Sequence, residues 1–217
     1  MFEGFCEETR TFFWDLAFHN EKPWFDEHKD VYIRVLKTPF QALAEDTRDA
    51  LTALTGEEYD LHVSRIYRDA RRLYGRGPYK DHLWFTLRKK GWHEDLCFYF
   101  SLSAASWGYG LGAWTRAAQT ENWRRFVDAE PAAVERLAKR LRRQSELKLG
   151  GESYKRPKGD KGELLNEWYN KRELEIGCQH DFGEALFDPA LPGKLAESYR
   201  WLMPYSELFA HAYTDER

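Results

Sequence analysis

Between Leu61 and Trp84 the chain places Arg65, Arg68, Arg71, Arg72, Arg76 and Lys80 within sixteen residues. Tyr67, Tyr74 and Tyr79 are interleaved with them, and only Asp69 and Asp81 oppose their charge. A guanidinium offers a planar fork of donors and keeps its charge at any relevant pH, so converging arginines suit phosphate or carboxylate better than lysines do. Arg65, Arg68 and Arg71 are the candidates for such convergence, with Asp69 orienting one or two of them by bidentate pairing. Gly75 and Gly77 would let backbone N–H groups come near an anion, and Arg76, Tyr79, Lys80 and His82 would close the pocket. Lys158 and Lys171 are expected to approach from a later basic loop and strand.

The same residues admit a structural role. Arg-Asp-Arg clusters beside aromatics commonly serve as internal braces, the carboxylate neutralising guanidinium groups that stack on ring planes. Here six cations face two local acids, a surplus that favours a ligand. Three functions stay open on the residues alone. The first is binding of a phosphorylated or multiply anionic small molecule; the second is a nucleic-acid-binding module using the basic loop and its tyrosines. The third is a structural or protein-interaction domain with the Arg/Asp cluster as its brace.

No Walker loop, Gly-x-Ser-x-Gly elbow, His-Glu-x-x-His or dinucleotide fingerprint is present, so no known motif assigns a reaction or a cofactor. His82 beside Asp81 could act as a general acid or base, and Tyr79 as a proton donor. His19 and His28 have no partner at metal-ligand spacing, and no metal site is expected.

Those residues need a scaffold, and the composition supplies one. In 217 residues, 42% hydrophobic and 16% aromatic content is enough for a sizeable core, read here as a single domain over 1–217. No apolar run of about eighteen residues is present to span a membrane. The acidic N-terminus lacks the look of an export signal, and Cys6, Cys97 and Cys178 are widely spaced. Both features predict a cytoplasmic protein with reduced thiols. A formal charge of −3 confines any nucleic-acid affinity to a local patch.

Periodicity predicts an α+β fold: a mostly antiparallel central sheet, a meander, packed against an N-terminal helical layer and C-terminal helices. Phe5, Thr9, Phe12, Phe13 and Leu16 share a helical face that stops at Asn20. A second helical pattern runs from Trp24 to Leu36, with Thr38 capping a third that starts at Pro39. After Gly56 the period becomes that of a strand, from Leu61 to Tyr67, leading into a shaped loop from Tyr74 to Tyr79. Trp84–Lys89, Leu96–Leu102 and Trp107–Leu111 read as further strands with short turns between them. Gly108, Gly110 and Gly112 suggest something bulky close over one face of the last of these.

Further on, a helix ends near Ala129 and another starts at Pro131, with Lys139 to Arg143 on its solvated face. Gly150-Gly151 suggests a hairpin between Leu147–Leu149 and Tyr154–Lys155, followed by a basic loop from Lys155 to Lys161. A short helix from Glu163 to Tyr169, a strand from Arg172 to Ile176, and a last helix kinked by Pro204 complete the chain.

Arg65-x-x-Arg68-Asp69-x-Arg71, followed by Pro78-Tyr79-Lys80 and His82, resembles the signature of a bacterial family known as domain of unknown function 2461. The similarity extends to Gly4-Phe5, Thr9, Asn20, Trp24-Phe25, Lys29, Phe98-Tyr99, Gly110, Gly112, Pro157-Lys158-Gly159 and Lys171, which is nearly the whole chain. The chain departs from the family pattern at Arg72, where Phe is usual, and at Gly75-Arg76, where Asp or Asn precedes Lys. The resemblance implies no activity, so it strengthens the location of the site and adds no reaction.

Overall fold

The computed structural model describes residues 1–73 and 75–213, with Arg72 described by its backbone alone. Tyr74, where the expected loop begins, and the Arg72 side chain, one of the departures from the family pattern, lie outside the described residues. The fold is α+β, as the periodicity predicts. Strands β1 (Tyr59–Val63), β2 (His82–Lys89), β3 (Leu96–Ser103), β4 (Ser106–Ala113), β5 (Lys148–Gly150) and β6 (Leu174–Asp181) form one antiparallel sheet in the order β1-β2-β3-β4-β6-β5. The first four strands follow chain order, the meander expected from short turns, and Gly91 takes a left-handed φ of 88° at one of them. On β2, Leu83, Phe85 and Leu87 are buried and alternate with less buried neighbours, the pattern of a strand with one face on the core.

Helix α1 (Glu7–Phe18) buries Thr9, Phe12, Phe13 and Leu16, the expected stripe. The next pattern is not one helix but α2 (Lys22–Glu27), α3 (Lys29–Tyr32) and a π turn, Ile33–Lys37, that runs into α4 (Thr38–Thr55). Thr38 does not cap. It is helical, φ −65° and ψ −49°, and its N–H bonds five residues back to Ile33 O. The reason is Pro39, which has no N–H for Val35 O and whose ring crowds that carbonyl. The widened turn relieves the crowding, and the buried Thr9 hydroxyl donates to Val35 O at 2.7 Å in place of the missing N–H. Gly56 ends α4 at φ 72° with its N–H on Thr52 O.

The chain forms two compact units. The first comprises Met1–Leu87, Phe100–Gly108 and Gln179–Glu197; the second comprises Arg88–Tyr99, Tyr109–Cys178 and the chain from Ser198 on. In the first, Phe40 of α4 packs against Phe85 and Phe100 of the sheet with ring centroids 5.8 and 6.0 Å apart, and Phe85 stacks on Phe100 at 5.3 Å. Burial of such rings supplies most of a core's stabilisation.

The second unit contains α5 (Ala117–Ala129), α6 (Pro131–Arg142), α7 (Glu163–Tyr169) and most of α8 (Leu191–Ala210), the last running through Pro204. Tyr199 of α8 stacks on Phe98 at 4.8 Å and donates to Tyr99 O at 2.8 Å. Lys139, Arg142 and Arg143 lie on the exposed face of α6 as expected, and Arg140 covers the Trp201 ring at 4.1 Å. Among the described residues no helix is long and apolar enough to cross a membrane.

One expected hairpin is replaced. Lys148, Leu149 and Gly150 pair with Gly177, Ile176 and Glu175, and the chain then continues antiparallel along the same partner, Ser153 bridging Lys171. Gly151 sits between the two stretches at φ 79°, where a Cβ would overlap Glu173 O. It lets one strand shift along another rather than fold back on itself, because β6 and the chain leading into it offer partners on both sides of Gly151. The glycines of β4 have a similar cause: a Cβ on Gly110 would overlap Ile176 O, and one on Gly112 would press on the Trp114 indole.

Candidate functional site

Beyond Val63 the regular strand ends, but its pairing with the arm before β2 continues. Ser64 N–H donates to Trp84 O at 2.8 Å, Lys80 N–H to Ile66 O at 2.7 Å and Arg68 N–H to Pro78 O at 2.7 Å. Tyr67 and Tyr79 form an isolated antiparallel bridge. The basic segment is thus a hairpin extending from the sheet edge, and the bend comes at Asp69. Its Oδ1 accepts the Arg71 N–H at 3.0 Å and opens the 3-10 turn Ala70–Arg72.

The charges of the hairpin sort into separate groups. Arg71 forms a fork with Asp69, Nε to Oδ1 at 3.0 Å and Nη2 to Oδ2 at 2.9 Å, on a side chain 88% exposed. Arg68 is different: only 17% exposed, it donates from Nε to Tyr79 O at 2.8 Å and meets Asp81 at 3.4 Å. Asp81 also bonds His82 Nδ1 at 2.9 Å, and the His82 contact, ahead of Arg68, holds its carboxyl below the usual range. Lys80 Nζ donates to Arg65 O at 2.8 Å. Burial pushes the Lys80 ammonium down, and the charges of Arg65 and Arg68 push it further. Arg65 and Arg76 are exposed, and among the described residues neither guanidinium has an ion-pair partner. Arg65, Arg68 and Lys80 therefore form one cationic corner beside Asp81, while Arg71 turns to Asp69.

Beneath the hairpin lies an aromatic floor that sequence reasoning missed. Phe25 of α2 stacks on Tyr79 at 4.1 Å, with Tyr67 at 5.8 Å and Tyr32 at 5.2 Å from it. Burial, and then the neighbouring Tyr67, pushes the Tyr32 phenol up to about 12. The Tyr79 phenol is also raised, by burial first. Asn20, read as a helix stop, has a second role: Nδ2 donates to Tyr79 O at 3.0 Å and Oδ1 accepts from Tyr79 N–H at 2.9 Å. Gly77 makes room for this amide, since a Cβ there would overlap both the Asn20 side chain and its backbone oxygen. His19 and His28 both stack on Trp24, with ring centroids at 5.6 and 4.1 Å.

Lys158 and Lys171 belong to the second unit and have local partners there. Lys158 is exposed, its N–H on Asn170 Oδ1 at 2.6 Å and its ammonium 4.8 Å from the centre of the Tyr154 ring. Lys171 donates to Gly151 O at 2.8 Å. Burial lowers its ammonium against the opposing pull of Glu167 and Glu175. It lines a cleft of about 480 Å³ with Glu167, Arg142, Lys148, Ser153 and Trp168.

An antiparallel sheet with helices, and a basic hairpin standing on an aromatic floor at the sheet edge, defines an α+β protein. Its sequence matches the model of the conserved hypothetical protein family DUF2461 over residues 8–207, and the chain belongs to that family. This is the family that the hairpin residues resemble. No curated protein matches the chain.

Proposed function

We propose that the Arg65, Arg68 and Lys80 corner binds a phosphorylated or otherwise multiply anionic small molecule. The observation that carries this reading is the position of Lys80. Its ammonium donates to the Arg65 carbonyl at 2.8 Å rather than to a carboxylate, and Arg65 and Arg68 both weigh against its proton. Like charges held together beside a single acid gain from any anion that joins them. Arg68 is also pre-oriented by Tyr79 O, which lowers the entropy lost on binding. Arg71 and Arg76 nearer the tip add attraction at longer range. The reading assigns a ligand class and leaves the reaction unassigned.

The test is a thermal-shift panel of phosphate, pyrophosphate, nucleotides, polyphosphate and sugar phosphates on wild type and Lys80→Gln. A ligand at a hundred times its Kd adds about 2.7 kcal/mol. For a chain of this size that is a rise of roughly 5–10 °C. A rise lost in the variant supports the reading, and no rise with any of these anions ends it.

A nucleic-acid module is the second reading, and the observation favouring it is Tyr67, a residue 51% exposed on the hairpin that carries the cationic corner. It requires oligonucleotide binding that weakens steeply with salt as counterions are released. Absent or salt-independent binding removes it.

A further inference from the structure

The second unit contains another arrangement of cations, built around Tyr154. Arg124 lies on α5 with its side chain only 12% exposed, and Nη2 pairs with Glu121 at 2.6 Å one turn back. Nη1 is buried and has no hydrogen-bond partner among the described residues. A buried charged donor without an acceptor is unfavourable, and native structures rarely keep one without a purpose. The guanidinium carbon sits 5.5 Å from the centre of the Tyr154 ring, and Lys158 Nζ lies 4.8 Å from the same centre.

This arrangement is held in place by two asparagines. Tyr154 N–H donates to Asn170 O at 2.9 Å. Asn170 Oδ1 accepts from Lys158 N–H at 2.6 Å, and its Nδ2 donates to Gly159 O at 3.2 Å. Asn166 of α7 accepts from Lys161 N–H at 2.7 Å and donates to Asp160 Oδ1 at 2.8 Å. The basic loop from 155 to 161 is therefore anchored at several points, and a Cβ on Gly159 would come within 2.9 Å of the Tyr169 ring. Ordered cations of this kind are pre-organised for a ligand.

The groups facing Tyr154 are Arg124, Lys158 and the Thr120 hydroxyl, with Glu121 beyond them shared between Arg124 and, at 3.9 Å, Arg125. Burial alone would raise the Tyr154 phenol, but Arg124 and Thr120 beside its oxygen, and then the Lys158 charge, bring it below its ordinary value. Tyr169 shows the opposite. Burial raises its phenol and Asp128 raises it further, its hydroxyl donating to Asp128 Oδ2 at 3.3 Å.

We propose that Arg124 Nη1, Lys158 Nζ and the Tyr154 hydroxyl form a second oxyanion site, shaped for a phosphate group. A phosphate there accepts from Arg124 Nη1, Lys158 Nζ and the Tyr154 hydroxyl, and its negative charge favours the protonated phenol over the phenolate.

Tyrosine ring-carbon NMR on the full chain tests this, with the Tyr154 resonance assigned through Tyr154→Phe. Inorganic phosphate is expected to move the Tyr154 titration to higher pH. Lys158→Gln, a change on an exposed side chain, is expected to weaken that response about tenfold in phosphate concentration. Lys80→Gln, in the hairpin, should leave the response intact, so failure of the hairpin site and failure of this one are told apart. The proposal is overturned if phosphate leaves the Tyr154 titration where it was. It is equally overturned if the response is the same in Lys158→Gln, or if it vanishes in Lys80→Gln.

Discussion

Asn20 pairs with Tyr79 as a strand would, its side-chain amide donating to the Tyr79 carbonyl at 3.0 Å and accepting from the Tyr79 N–H at 2.9 Å. The amide thereby satisfies the buried backbone of the hairpin arm on the side away from Tyr67. It also ties the end of the first helical layer to the segment that carries Lys80.

Asn20→Ala should cost about 1–3 kcal/mol, because it leaves a backbone N–H without its partner. Gly77→Ala should cost a similar 1–3 kcal/mol or so by crowding the same amide. The double variant is expected to lose less than the sum, since with Asn20 shortened part of the new Cβ's obstruction is gone. Urea unfolding of the three proteins gives the comparison, and strict additivity would show that Gly77 and Asn20 are not coupled.

Arg68 and Arg71 should separate in stability although they are three residues apart. Arg71 pairs with Asp69 in solvent, and Arg71→Ala is expected to cost less than about 1 kcal/mol. Arg68 is mostly buried and holds Tyr79 O, so Arg68→Ala should cost about 1–3 kcal/mol. Equal losses in chemical denaturation would contradict this division between a surface pair and a brace.

Thr9→Val removes the hydroxyl that serves Val35 O and should destabilise by about 1–3 kcal/mol. In a Pro39→Ala background residue 39 regains an N–H, which can take up that carbonyl. The cost of Thr9→Val is therefore expected to shrink there, as measured by thermal unfolding of the four-member cycle.

Tyr32 predicts an alkaline limb. Its phenol is raised from 10.0 to about 12 in the fold, so the unfolded chain loses the proton first. Its contribution to stability is complete below about pH 10 and is lost as pH rises toward 12. In Tyr32→Phe that part of the decline should disappear from a stability profile across this range, and an unchanged decline would assign it to other groups.

Anion affinity at the hairpin should fall as pH rises through the lowered titration of Lys80, because the ligand needs the ammonium. Lys80→Gln is expected to bind more weakly and to lose that alkaline decline. Isothermal titration with whichever anion gives the thermal shift would measure it, and a variant with the wild-type pH profile would place the anion elsewhere.

The features that the sequence determined by itself are those set by neighbours along the chain. The stripe Thr9, Phe12, Phe13 and Leu16, the Gly56 stop, the Pro131 start and the meander of β1 to β4 follow from local periodicity and turn residues, and the structure has all of them. The family was legible for the same reason, in short motifs spread over the chain. The density of cations around Arg68 was equally visible, and so was Asp69 as a bidentate partner, but which arginine it takes was not. Which acid an arginine meets depends on how the hairpin bends, and that sends Arg71 to Asp69 and Arg68 to Asp81.

Tertiary structure alone decided the contacts between residues far apart in sequence. Asn20 and Tyr79 are 59 residues apart, and Thr9 and Val35 are 26 apart. Leu149 chose Ile176 over a nearby strand, although Gly150-Gly151 has the chemistry of a turn. A turn signal reports what the backbone can do locally, whereas pairing is settled by which strand edge is open when the sheet assembles. Arg124 looks like any helix-surface arginine in sequence. Its burial against Tyr154 follows from the packing of α5 and from the two asparagines that hold the basic loop.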